Sequence, residues 1–339
     1  MKMFNYKWYL KDGYKYKNGL KVFSTFACGG GSSMGYKLAG YDVIGANDID
    51  PQMTKVYKKN HNPKYFFECP IKDMVKIDLP DELYNLDILD GSPPCSTFSI
   101  AGSREKAWGK KKMFREGQSE QILDDLFFDF IKLVEKLKPK VVIAENVKGM
   151  LLGNAKGYLI EIKKKLIELG YDVQIFLFNG ATMGLPQKRE RVFIICNKMN
   201  YPKLRLDFKE KPISLKMIEK DTDIIYGKKL SNAFYKWWKK LGNNYGSFSQ
   251  VHPKGSFFNT YKCNPFLPLN TITSTNSAKL THYKEPYELS DEILKLAGSF
   301  PLDYNFLDII PKYLIGMSVP PIMMAQISKQ IELQWFIKN

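Results

Sequence analysis

The chain has 339 residues, 51 Lys and Arg against 35 Asp and Glu for a formal net charge of +16, and 44% hydrophobic residues. That length suggests about two domains around a sizeable core, and the composition excludes a wholly disordered or fibrous chain. No apolar run reaches the ~18–20 residues of a membrane span and Met1–Lys21 has no apolar leader core, so a soluble, intracellular, strongly basic protein is expected.

The elements follow in chain order. Met1–Lys21 is basic and aromatic, with six lysines against Asp12 for a surplus of +5. Lys21–Phe26 reads as a first strand running into Cys28-Gly29-Gly30-Gly31, then a helix from about Ser32 to Ala39 that Gly40 stops. Asp42–Ala46 is a second strand, ending at Asn47-Asp48. A Gly-rich turn that opens a helix lets a ligand approach the backbone, and an acidic residue ending the next strand can hold ribose hydroxyls. Gly31 and Asp48 are 17 positions apart, near the ~20 of nucleotide-binding units, but GxGxxG is absent. A nucleoside-type cofactor and a tight structural turn stand as even readings.

Leu86–Leu89 is a further strand, followed at once by Asp90-Gly91-Ser92-Pro93-Pro94-Cys95. Two prolines stiffen the backbone and would put the Cys95 thiol at the sheet edge, as a nucleophile or as an inert cysteine. Ser96–Gln118 has six basic residues against Glu105 and Glu116, a surplus of +4, and its Gly102, Gly109 and Gly117 suit a closing lid. Gln121–Lys138 reads as a helix, with Ile122, Leu126, Phe130, Val134 and Leu137 on one face. Pro139 breaks it before the strand Val141–Ala144, which ends in Glu145-Asn146. Ala155–Leu169 is a second helix stopped by Gly170, and strands follow at Val173–Phe178 and Val192–Cys196. Strands alternating with helices predict a parallel α/β sheet. Its carboxyl ends would bring Asp48, Cys95 and Glu145 to one rim, where an acid beside a thiol can supply a proton; a helix cap or salt bridge is the plainer role for Glu145. Alternation along Pro186–Arg191 points Gln187, Arg189 and Arg191 to one side, either onto a carboxylate, phosphate or base carbonyl or to solvent.

Tyr201–Pro265 is aromatic, turn-rich and weakly periodic, with 13 basic against 5 acidic residues, a surplus of +8. It reads as a separate, smaller domain whose Trp237-Trp238 pair belongs either to recognition or to a core. Helices return near Asp291–Gly298 and Ile322–Ile331. Three basic segments around a nearly neutral body suit a polyanion, or simply solvated lysine-rich loops. Five cysteines without a Cys-x-x-Cys pair, and scattered His61, His252 and His282, argue against a disulfide framework or a metal centre.

From about Leu20 to Ile331 the chain resembles the cytosine-5 DNA methyltransferases. The marks are Phe26-Ala27-Cys28-Gly29-Gly30-Gly31, Asp48-Ile49-Asp50, Asp73, Ser92-Pro93-Pro94-Cys95, Glu145-Asn146-Val147, Gln187-Lys188-Arg189-Glu190-Arg191 and Ile315-Gly316-Met317-Ser318-Val319-Pro320. The resemblance implies an α/β, Rossmann-like S-adenosylmethionine-dependent domain with a smaller target-recognition domain. Residues 1–20 would be a basic arm, 21–200 the catalytic domain, 201–270 the recognition domain, and 271–339 a segment returning to the catalytic domain through Thr271-Ile272-Thr273.

By the same resemblance Cys95 is the nucleophile, Glu145 the acid, and Arg189 and Arg191 orient Cys95 and the base. Phe26 stacks on adenine, Asp48 binds the ribose and Asp73 the adenine amine. Ala27, Gly29, Gly30, Gly31, Ile49, Met74, Pro93 and Ser318 complete the cofactor site, and Ser99, Lys110, Lys111, Lys112 and Gln187 meet DNA. The implied substrate is double-stranded DNA, from which cytosine flips out for attack at C6 and methylation at C5. A monomer on DNA, at the nucleoid in the cytoplasm, with a restriction endonuclease as companion and neither metal nor membrane, is expected. Cys28, Asp48 and Met317 depart from the family's usual Gly, Glu and Asn. Two alternatives are tRNA methylation, whose branch carries Cys-Phe-Thr where this chain has Cys263-Asn264-Pro265, and a DNA-binding protein without catalysis.

Overall fold

Apolar strands alternating with amphipathic helices build an α/β fold, and the structure, a computed structural model, describes residues 4–94, 111–112, 121–122, 125–153, 155–275 and 277–337. Two compact units form: 14–178, 190–206 and 327–339 make the larger, while 1–13, 179–189 and 207–326 make the smaller. These units cut the chain elsewhere than the domains expected from sequence, since 271–326 groups with 207–270.

The larger unit is built on seven strands: β1 Lys21–Thr25, β2 Asp42–Asn47, β3 Tyr65–Phe67, β4 Ile88–Gly91, β5 Val141–Val147, β6 Asp172–Asn179 and β7 Glu190–Asn197. Their order is β3-β2-β1-β4-β5-β7-β6. β1 pairs in parallel with β2 and β4, and β4 with β5. β7 runs antiparallel to β5, so the sheet is mixed where the sequence suggests a parallel one. The reason is the connection: Gly180–Arg189 between β6 and β7 is shorter than the dozen or more residues a parallel crossover needs. Val141, Val142, Ile143 and Ala144 are all buried, as a strand covered on both faces requires.

Helix α1, Gly31–Leu38, follows β1 directly. Helix α2, Pro51–His61, has Pro51 in its first turn, and the Asp50 carboxylate caps it by accepting from the Gln52 N–H at 2.9 Å. Its polar interior hid it in the sequence, because only Met53, Thr54, Val56, Tyr57 and His61 turn inward. Helix α3, Leu126–Leu137, and helix α4, Ala155–Glu168, cover the core through Phe127, Phe130, Val134, Ile162 and Leu166. The expected start of α3 at Gln121 is wrong: Gln121-Ile122 pairs antiparallel with Lys111-Lys112, so those backbone groups bond in a ladder and not along a helix.

The smaller unit carries a five-stranded sheet in the order Tyr226–Lys229, Tyr287–Leu289, Leu280–Thr281, Tyr261–Lys262, Gly246–Ser247. Its helices include α5 Asn232–Lys240, α6 Asp291–Ala297 and α7 Pro311–Met317. The start of the chain is pinned within this unit. Trp8 Nε1 donates to the Ser299 carbonyl at 2.9 Å, Tyr6 donates to the Asp221 carboxylate, and Lys7 pairs with that same carboxylate at 3.4 Å.

Candidate active site

Strand register, not sequence distance, assembles the site. Asn47, Thr25 and Gly91 end strands β2, β1 and β4 side by side, level with Ala144 within β5. The next residue in each strand therefore opens onto one rim: Asp48, Phe26, Ser92 and Glu145. Ligands bind at such rims in open α/β sheets. The structure thus brings Asp48 and Glu145 to one edge, as the strand pattern predicts. Cys95, Ser99 and Lys110 lie outside the described residues, and Lys111 and Lys112 are described only as backbone.

After β1 the chain turns sharply. Phe26 and Cys28 take positive φ values of 53° and 49°, and Gly30 follows at 82°. A Cβ on Gly30 would stand 2.1 Å from Nε2 of the buried His61, so backbone angle and space both demand glycine. Burial, reinforced by Lys37, pushes the His61 imidazole down to about 3, so it packs as a neutral ring 4.5 Å from Tyr57. Gly29, Gly30 and Gly31 are buried, while Phe26 stays half-buried at the mouth of the turn.

Asp48 closes this turn. Its carboxylate accepts from the Cys28 N–H at 2.7 Å and the Asp50 N–H at 2.9 Å. Desolvation outweighs those bonds and pushes the group up to about 6. Ile49 and Asp73 are half-buried, the latter paired with Lys76 at 3.0 Å. The Met74 side chain belongs to the hydrophobic core, and its carbonyl accepts from Lys136 Nζ at 3.2 Å.

Glu145 and Arg191 form the centre of the rim. On antiparallel β5 and β7, Glu145 is opposite Phe193 and Arg191 opposite Val147, so both point to the same face on a diagonal. Arg191 Nε lies 2.9 Å from Glu145 Oε1, and the two side chains are 14% and 11% exposed. Next along the strand, Asn146 Nδ2 donates to the Pro93 carbonyl at 3.2 Å. That bond ties the proline pair preceding Cys95 to the strand that holds the acid.

Asp90 follows the strand Leu86–Leu89 in sequence, where no role attaches to it. It is buried on β4; its carboxylate accepts from Ser24 Oγ at 2.7 Å and the Tyr36 hydroxyl at 3.2 Å. Desolvation, with Glu145 adding its repulsion, pushes it up to about 7 despite those donors. A carboxylate at a strand end next to the proline pair was the available signal.

In the smaller unit, Arg189 is buried, and its guanidinium donates to the carbonyls of Ile272 at 3.0 Å, Gly316 at 3.0 Å and Ser318 at 2.9 Å. Among the described residues Arg189 reaches these three carbonyls, whereas Arg191 reaches Glu145. Gly316 is needed there because a Cβ would stand 2.4 Å from the Ser274 backbone nitrogen. Gln187, expected at DNA, is buried; it donates to the Ala297 carbonyl at 3.2 Å and accepts from the Ile272 N–H at 3.0 Å. The Ser318 hydroxyl donates to the Leu314 carbonyl at 2.8 Å. These three side chains brace the segment 271–318 from within.

A family model for C-5 cytosine-specific DNA methylase matches residues 20–333. The Type II methyltransferase M.NgoPII of Neisseria gonorrhoeae is 32% identical over 178 residues, 52% of this chain and 48% of that protein. M.NgoFVII of the same organism, also a Type II methyltransferase, is 26% identical over 344 residues, 93% of this chain and 87% of that protein. The chain thus covers about half the length of curated relatives such as M.NgoPII. A solved structure of a prophage-encoded E. coli protein superposes with a TM-score of 0.67 at 20% identity, over 94% of this chain and 100% of the other.

Proposed function

The chain belongs to the C-5 cytosine-specific DNA methylase family, and on that premise we propose that it methylates C5 of cytosine at specific sites in double-stranded DNA. The observation that supports this most is the Glu145–Arg191 pair at 2.9 Å, on the strand whose Asn146 holds Pro93, two residues before Cys95. C5 of cytosine is a weak nucleophile within the aromatic ring. Addition of the Cys95 thiolate at C6, with Glu145 hydrogen-bonded at N3, turns the ring into an enamine whose C5 can accept a methyl cation equivalent. Loss of the C5 proton then allows the thiolate to leave and the ring to regain aromaticity. Arg191 fixes the direction of the Glu145 carboxyl, and the cytosine must leave the helix first, at a cost of a few kcal/mol.

The donor set of the β1–β2 rim fits S-adenosylmethionine: an aromatic face at Phe26 for adenine, a carboxylate at Asp48 for ribose hydroxyls, and Asp73 for the adenine amine. Ala27, Ile49 and the three glycines offer backbone. When bound, that cofactor supplies the electrophilic methyl. Hydroxyl donors from a ribose would favour the ionised form of Asp48. Arg189 acts here as a positioning residue for the segment around Ser318. Target recognition by 201–270 and a lid at Ser96–Gln118 belong to the same proposal. So does a companion endonuclease, which the Type II names of the relatives support.

Transfer of tritiated methyl to duplex DNA rich in short sites tests the reading. Cys95→Ser is expected to abolish it, and a wild-type protein no more active than that variant overturns the proposal. Methylation of tRNA in preference to duplex DNA overturns the substrate alone.

A further inference from the structure

The smaller unit contains a cleft of about 560 Å³, lined mostly from the segment proposed for target recognition but given no ligand of its own by that proposal. Lys216, Lys239, Lys262 and Lys284 line it together with Trp238 and Phe266, and no carboxylate does. Trp238 comes from α5, and its indole is fixed by donating to the His282 carbonyl at 2.9 Å. Lys262, on a central strand of the sheet, is only 3% exposed. Its ammonium lies 4.0 Å from the Trp238 ring centroid and donates to the Gly242 carbonyl. Burial lowers its pKa, with no carboxylate among the described residues acting against that shift. Phe266, by contrast, is 67% exposed, with the Lys216 ammonium 5.7 Å from its ring.

A buried cation without a counter-ion is costly unless a ligand brings the anion. An exposed phenyl ring among lysines offers a stacking face beside phosphate-attracting charge. A plain duplex meets neither need well, because its bases already stack on each other and its phosphates are accessible to any convex lysine surface. We propose that this cleft binds one unpaired nucleotide of the DNA substrate, its base stacked on Phe266 and its phosphate drawn to Lys262. The inference rests on the DNA substrate proposed above, but its readout is binding and not methyl transfer.

The full chain is titrated against a labelled duplex and the same duplex carrying a short single-stranded overhang, with a deoxynucleoside monophosphate as competitor. Wild type is expected to prefer the overhang by about tenfold, the size of one stacked base, and Phe266→Ala and Lys262→Met should each bring that ratio close to one. Equal affinity for the two DNAs overturns the proposal, as does a preference that survives both variants. Displacement by the free nucleotide without any overhang preference also overturns it, and assigns the cleft to free nucleotides. If Lys262→Met fails to fold, the solvent-facing Phe266→Ala decides. Overhang preference without methyl transfer to either DNA would overturn the proposed enzyme and leave the cleft standing.

Discussion

The rim of the larger unit and the cleft of the smaller one are both polar, but they differ in what answers their charges. At the rim each group has a protein partner: Arg191 for Glu145, Ser24 and Tyr36 for Asp90, Pro93 for Asn146. In the cleft the buried Lys262 meets, among the described residues, a carbonyl and an aromatic ring. The first arrangement is preorganised, so its groups are already aimed before substrate arrives. The second keeps part of its electrostatic demand for a ligand. On the functions proposed for them, one molecule separates a site for chemistry from a site for capture.

Glu145→Gln should separate the two sites most strongly. If the carboxyl works as the acid at N3, turnover should fall by roughly 10²–10⁴-fold, the usual range for a lost general acid, while duplex affinity stays near wild type. Single-turnover methylation with a parallel binding titration reads both. A loss of affinity as large as the loss of rate would make Glu145 a structural brace, no different in kind from the residues of the smaller unit.

Asp90 tests whether the rim stores strain. Its folded value of about 7 lies above the ~3.9 of an unfolded aspartate, so between them the folded state holds the extra proton. Stability should therefore be greatest at acidic pH and decline as pH rises from about 4 to about 7. Asp90→Asn removes this slope. Its stability to chemical denaturation should exceed that of wild type above neutrality by on the order of a few kcal/mol, and the advantage should vanish toward about pH 4. Parallel slopes for the two proteins would show that Asp90 ionises freely.

The contrast also governs what the sequence reveals. β1, β2, β5 and the pair Glu145-Asn146 are legible because buried strands read as apolar runs and a parallel sheet turns their ends to one rim. The strand at β7 is legible too but its antiparallel direction is not, since direction depends on the connection and on distant neighbours. Arg189 and Arg191 alternate correctly along the chain, yet Arg189 serves the carbonyls of Ile272, Gly316 and Ser318, partners that periodicity cannot identify. The cleft is the least legible. Its strands Tyr261–Lys262 and Gly246–Ser247 are two residues long, too short for alternation to register, and Trp237-Trp238 could be read as core. In the structure both tryptophans are half-buried, one against His252 and the other beneath Lys262.

Arg189→Lys sharpens the role of the braces. One ammonium cannot span the three carbonyls that the planar guanidinium reaches, so at least one buried acceptor loses its donor, at a cost of about 1–3 kcal/mol. Chemical denaturation should show that loss, and methyl transfer by the folded fraction should fall less than in Glu145→Gln. A reversed order would move Arg189 from bracing into the chemistry.

The smallest effects should come from exposed lysines, and they separate capture from catalysis. Lys239 and Lys284 line the cleft and face solvent. Replacing either with Ala should weaken DNA binding modestly and lower the slope of log affinity against log salt by about one. The methylation rate of bound DNA should not change. Replacing Lys110, Lys111 and Lys112 with Gln should do the converse if the segment after Cys95 closes over the flipped base: slower methylation at saturating DNA, with little change in salt slope. The two readouts are independent because phosphate contacts act on the encounter, whereas closure acts after it. Equal changes in rate and slope from both sets of lysines would mean that charge is used in one way throughout the molecule, and the division between rim and cleft would fail.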